Sequence, residues 1–410
     1  MGMRGTSAAF LAIALSMCVC ASTARAQLAV SVNDGKVRLF DGKVEVQKPP
    51  QPDTVAIIDL RATPPRSVAQ IEVPGSLIGP PLSVAVSPRE EIALVTSARR
   101  IDPADPTRQI PDNRVSVIDL TPLKPGLLRR LGSVVGVSKG PAPMPKVVAT
   151  LQAGMGASGV SINRAGTLAL VANRDEGTVS VFSITGTTVT PAGKVAVGGE
   201  TSGPSHVVFS LDGRHAFVTR GGDHRIAVLS VDGNKVELTK REMAAGLRPY
   251  AIDVAPKSAV AVVANLGAGL GDADTISVID LKADPMRVVN TVTVGQSPQG
   301  MKISPDGKFV AVVLMNGTNK PANSPLYNAN GLLQVWARNG AQLTKAAELA
   351  IGKWCEGVAW SRNSRTLLVQ CTAEQEISVI RFTGLTGRSL QKTSSIKIKG
   401  GPAAIRTADP

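Results

Sequence analysis

Aromatic residues make up 3% of the 410-residue sequence, with three Trp, two Tyr and seven Phe. Stacking platforms for bases are therefore scarce, and nucleic acid is not an expected partner despite the basic balance. The three histidines, His206, His215 and His224, do not stand at the i, i+2 or i, i+4 spacing of ligand pairs, so no metal site is expected. The four cysteines include neither a zinc pattern nor C-x-x-C-H, and no haem or other cofactor is expected. No G-x-S-x-G elbow occurs, and Gly267-Ala-Gly-Leu-Gly271 lacks the G-x-G-x-x-G spacing and runs into a strand. After the first 26 residues no stretch approaches the ~18 apolar residues of a membrane helix.

Glycine and proline are plentiful, 40 and 28 residues, in a chain that is 43% hydrophobic and 19% charged. That mixture indicates a globular protein of many short elements joined by turns. The formal net charge of +14 admits an acidic partner without naming one. Residues 1–26 read as a secretory signal, with Arg4 ahead of the apolar run Ala8 to Val19 and Ala24-Arg25-Ala26 as the cleavage site. Neither Cys18 nor Cys20 follows the small residue expected before a lipid-modified cysteine, so a soluble periplasmic or secreted product is expected. The remaining residues, 27–410, are read as one domain, and a monomer is expected. Cys355 and Cys371 would then share an oxidising compartment and tend to pair.

The strongest signal is self-similarity. One strand-like phrase recurs as Thr54-Val-Ala-Ile-Ile-Asp-Leu60, Arg114-Val-Ser-Val-Ile-Asp-Leu120, Thr178-Val-Ser-Val-Phe-Ser-Ile184, Arg225-Ile-Ala-Val-Leu-Ser-Val231, Thr275-Ile-Ser-Val-Ile-Asp-Leu281, Gly331-Leu-Leu-Gln-Val-Trp-Ala337 and Glu376-Ile-Ser-Val-Ile-Arg-Phe382. Most copies follow a strand, tight turn and strand, as in Met301-Lys-Ile-Ser-Pro-Asp-Gly307 with Phe309-Val-Ala-Val-Val313, and precede a fourth strand such as Arg287 to Val294. Seven repeats of four antiparallel strands predict an all-β, seven-bladed propeller. Leu28 to Val32 falls at a second-strand position, while Gly401 to Thr407 matches the first-strand phrase Ser297 to Ile303. The C-terminal strand is therefore expected to complete the first blade and hide both sheet edges.

The pattern of Ser304-Pro-Asp-Gly307, Leu170-Val-Ala-Asn173, Val262-Val-Ala-Asn265 and Thr275 to Leu281 resembles the YVTN or lactonase-like seven-bladed β-propellers. The resemblance implies fold more than activity, since many functions share the scaffold. Gly203-Pro-Ser-His206 is similar to the "GPRH" segment of lactonase-like propellers and of carboxymuconate-lactonising enzymes, where Arg and His line the site. Ser205 stands where that pattern has Arg, and Val218 to Asp223 lacks the Glu such enzymes carry.

Four loops between second and third strands are long: Asn33 to Asp53, Ala98 to Asn113, Leu266 to Asp274 and Met315 to Asn330. They share one propeller face, where function is expected. The first-strand starts should bring Ser158, His206, Arg248, Tyr250, Gln299, Trp354 and Glu356 to the channel there, and the second-strand ends Arg99, Arg100, Asn173, Arg174, Arg220, Asn265 and Asn316. Convergent arginines could hold an anion. The basic loop Thr121 to Pro145, with Lys124, Arg129, Arg130 and Lys139, belongs to the opposite face. If the seventh-blade hairpin turns around Asn363, Cys355 and Cys371 become cross-strand partners, and a disulfide is expected.

Two functions follow as expectations. The first is a binding or scaffold protein holding a protein partner or small anionic ligand on the long-loop face, with an exposed patch around Trp354, Tyr327 and Leu326. The alternative is a lactonase-like hydrolase or isomerase acting on an acidic lactone, with His206 as the catalytic candidate.

Overall fold

The computed structural model describes residues 27–124, 144–384 and 389–409. The chain is an all-β, seven-bladed propeller of four-stranded antiparallel blades. Blade 1 takes its innermost strand from Gly401–Thr407 and its other three from Leu28–Asp34, Thr54–Asp59 and Arg66–Glu72. The expected closure is therefore present, with Val30 opposite Arg406. The expected leader, and Arg129, Arg130 and Lys139, lie outside the described residues.

The Ser304-Pro-Asp-Gly307 turn works through its side chains. Ser304 Oγ donates to Asp306 Oδ1 at 2.6 Å and accepts the Phe309 N–H at 3.0 Å, while Gly307 takes φ +76°. The turn thereby supplies the polar partners that its backbone lacks. Strand faces pack between blades. In the sixth and seventh, Phe309 and Trp360 meet Phe382 edge to face, with centroids 4.8 and 5.9 Å away.

Two of the long loops hold small hairpins, Val37–Phe40 with Lys43–Val46 and Arg99–Ile101 with Gln109–Pro111. Cys355 and Cys371 face each other across the first two strands of blade 7 and form a disulfide, Cα to Cα 3.9 Å. Among the described residues, no helix is long and apolar enough to cross a membrane.

Candidate functional site

The first strand of each blade lines the channel, and its opening residues set the long-loop mouth. Pro204, Pro249, Pro298, Cys355 and Pro402 make equivalent first pairs with the second strand. The residues that follow them, Ser205, Tyr250, Gln299, Glu356 and Ala403, therefore form one level. Immediately before it, Arg248 and Trp354 hold φ +55° and +51°, where other blades place Gly156 and Gly203. Non-glycine residues at such angles cost ~1–2 kcal/mol each. The strain is held by hydrogen bonds: Trp354 N–H donates to Thr318 Oγ1 at 2.9 Å, and Arg248 N–H to His224 Nδ1 at 3.2 Å.

Glu356 is the unusual member. It is 4% exposed, its Oε1 accepts the Trp354 indole N–H at 3.0 Å, and its Oε2 is buried with no hydrogen-bond partner among the described residues. Burial, only partly offset by the indole, pushes its carboxyl up to about 7. Gly79, from the segment leading into blade 2, lies against it, and a Cβ there would fall 2.5 Å from Oε2. That segment is pinned by Ile78 N–H donating to Asp34 Oδ2 at 2.9 Å. Burial raises Asp34 as well, to about 6, against the pull of Lys36.

Tyr250 shares this space. Burial first, then the Glu356 charge, raise its phenol, while Arg174 and Arg248 oppose the shift, so the hydroxyl stays a donor at neutral pH. Arg174 Nη1 donates to Ser205 Oγ at 3.0 Å. An arginine from blade 3 thus reaches the position where the resemblance placed an arginine in blade 4. The mouth combines a carboxyl poised near neutrality, a phenol donor and two guanidinium groups, the components of acid–base chemistry on a polarised carbonyl.

Tyr250, Glu356, Trp354, Arg174 and Arg248 come together as expected at the mouth, with the half-buried Gln299 at the same level. Three others do not. Arg220 is turned outward, donating to Val197 O and, at 2.7 Å, to Glu242 Oε2, with Asp223 at 3.2 Å; its neighbours' carboxylates, not the channel, claim the guanidinium. Arg100 is exposed on the hairpin Arg99–Ile101, its neighbour Arg99 pairing with Asp175 at 2.7 Å. His206 is 5% exposed and lies inside the channel, where Nδ1 accepts the Ile252 N–H at 3.3 Å. Burial, with the charges of Arg406 and Lys302, holds its imidazole well below the usual range, so it is neutral at physiological pH.

Asn173 and Asn265 also have structural work. Each accepts a loop N–H, from Gly154 at 3.1 Å and Gly246 at 3.0 Å, and donates to hydroxyls of the third strand. Leu326, Tyr327 and Trp354, where the scaffold reading expected an exposed patch, are each half-buried; Leu326 packs against Gly271, and Lys353 Nζ stands 5.7 Å from the Tyr327 ring centroid. Sequence reading missed Gly79 and a lower polar level of Asp253, Lys302 and Arg406. Its only signal was a charge at one equivalent first-strand position in three repeats.

Residues 194–320 match the family model described as lactonase, 7-bladed beta-propeller. No curated protein matches the chain significantly. Among solved structures, a Bacteroides fragilis protein assigned as a 6-phosphogluconolactonase is 14% identical over 95% of this chain and 99% of its own, with a TM-score of 0.66. The periplasmic gluconolactonase of Pseudomonas aeruginosa is 14% identical over 93% and 100%, TM-score 0.62. Hydrazine synthase of Kuenenia stuttgartiensis is 15% identical over 81% and 91%, TM-score 0.59. Identities this low speak to fold, and activities differ among the three. Residues 194–320 are thus similar to the lactonase-type propellers, and the blade pattern and the solved structures agree on the seven-bladed β-propeller fold of the chain.

Proposed function

We propose that the protein hydrolyses a small acidic lactone at the long-loop mouth of its channel. The observation that carries this reading is the buried Glu356 carboxyl, poised near pH 7 with one oxygen unpartnered. As carboxylate it takes a proton from water attacking the lactone carbonyl. The resulting oxyanion is met by the Tyr250 hydroxyl and the neighbouring arginines. When the ring C–O bond breaks, the same carboxyl returns the proton to the departing alkoxide, giving a hydroxy acid. Arg174 and Arg248 would also hold the acidic substituent of the substrate.

Similarity to lactonase propellers favours this reading over the scaffold alternative. His206 is not its base, since its Nδ1 is engaged and the ring lies below the mouth. The signal-like residues 1–26, the Cys355–Cys371 disulfide and the likeness to a periplasmic gluconolactonase support an exported enzyme.

The test is ring opening of sugar and dicarboxylate lactones, followed by pH-stat for the wild type and Glu356→Gln. Turnover lost in the variant supports the reading; no turnover across the panel, or full turnover in the variant, rejects it.

A further inference from the structure

Three positions along the same strands from the Glu356 level, a second polar group lies deeper in the channel. Lys302 Nζ contacts Asp253 Oδ1 at 2.8 Å and Asp409 Oδ1 at 2.6 Å, and the other Asp253 oxygen accepts the Ile303 N–H at 2.8 Å. Arg406, 7% exposed, donates to the carbonyls of Val358 and Ile405 at 3.3 and 3.0 Å and forms no ion pair among the described residues. His206 beside them is neutral. Two interior cations thus face one interior carboxylate. The balance is closed by Asp409, whose side chain is 59% exposed against 9% for Asp253, on the short segment beyond the last strand.

This group stands at the inner end of a cleft that opens on the face opposite the long loops. The walls of this narrow cleft include Val86, Ile162, Phe209, Pro256, Ile303 and Trp360, with Ser161, Arg164 and Ser210 among its polar lining. Its end carries one excess positive charge, now met by a carboxylate that the chain itself supplies from an exposed position.

We infer that this cleft is a second binding site, for a small amphiphilic monocarboxylate whose carboxylate replaces that of Asp409 on Lys302 and whose hydrocarbon tail lies along the apolar walls. A single negative charge restores the balance, whereas a dianion overshoots it. A sugar would leave hydroxyls unpaired against Phe209, Ile303 and Trp360, which a hydrocarbon tail avoids. The site does not depend on the lactonase reading.

The test is calorimetric titration of the full chain with hexanoate and, as its neutral counterpart, hexanamide, with Trp360 fluorescence as a second readout because its indole donates to Lys302 O at 3.0 Å. Hexanoate is expected to bind about tenfold more tightly than hexanamide, and Asp409→Asn, which removes the internal competitor, to tighten hexanoate by about tenfold again. The double variant Asp253→Asn/Lys302→Met keeps the interior excess on Arg406 but removes the ammonium that the ligand carboxylate contacts, and should weaken hexanoate by about tenfold. Equal or absent binding of the two probes overturns the proposal. So does an Asp409→Asn affinity that is unchanged or weaker, a result that stands even if the double variant fails to fold.

Discussion

The two polar levels of the channel stand three residues apart on the same strands, yet they meet their charges differently. At the lower level Lys302 lies between two carboxylates, and Arg406 is satisfied by carbonyls. At the upper level Glu356 has one indole donor and one oxygen with no hydrogen-bond partner among the described residues. Burial draws the lower ammonium down, but the carboxylates of Asp253 and Asp409 more than restore it, whereas burial of Glu356 goes largely unopposed. A buried charge that is paired belongs to the architecture; a buried carboxyl left unpaired keeps a raised affinity for its proton, which is what a group that takes and returns protons near pH 7 needs.

The comparison breaks most visibly in kinetics. Glu356→Gln should lower lactone opening by ~10²–10⁴-fold without loss of folding, whereas a structural role would move the melting temperature instead. Lys302→Met should do the reverse, costing ~3–5 kcal/mol in urea unfolding because Asp253 is left buried and unpaired, with most of that recovered in Asp253→Asn/Lys302→Met. A Glu356→Gln loss as large as that of Lys302→Met would erase the contrast.

The next effect is in pH dependence. The folded carboxyl of Glu356 titrates above its ordinary value of 4.5, at about 7. The native state therefore holds the proton that the unfolded state has released, and stability falls as pH rises through that window. Relative to Glu356→Gln, the wild type should lose up to ~3 kcal/mol between those limits. A stability difference that is flat with pH would place Glu356 in an ordinary environment.

The disulfide ties the strand carrying Glu356 to its neighbour. Cys355→Ala/Cys371→Ala should cost ~3 kcal/mol in chemical unfolding, with a smaller change in KM than in stability. The smallest effect is expected at Arg220→Ala, about 1 kcal/mol or less in stability and an unchanged KM, since its guanidinium faces Glu242 and Asp223. A large rise in KM there would return Arg220 to the site.

The propeller was legible because its information is local and repeated. The closing strand announced itself by matching Ser297 to Ile303, and the disulfide by its symmetry about Asn363. The site was legible only in part. Position along a repeat placed Tyr250, Trp354 and Glu356 at the mouth. That Glu356 would lack a partner depends on Gly79, a neighbour contributed by a sequence-distant segment, which no local pattern reveals. Arg220 and Arg174 occupy matching strand ends, but acidic residues on Arg220's own blade turn it away, while Ser205 of the next blade draws Arg174 in. Asp253, Lys302 and Arg406 each look like a stray charge in an apolar phrase until the repeats are superposed.

The central claim is that the unpaired carboxyl at the mouth is the reactive group. Its most direct test is the pH–rate profile of lactone opening for wild type and Glu356→Gln side by side. The account predicts a wild-type rate that rises with pH through a limb near 7 and a variant in which that limb is absent. A limb that persists unchanged in Glu356→Gln would contradict it.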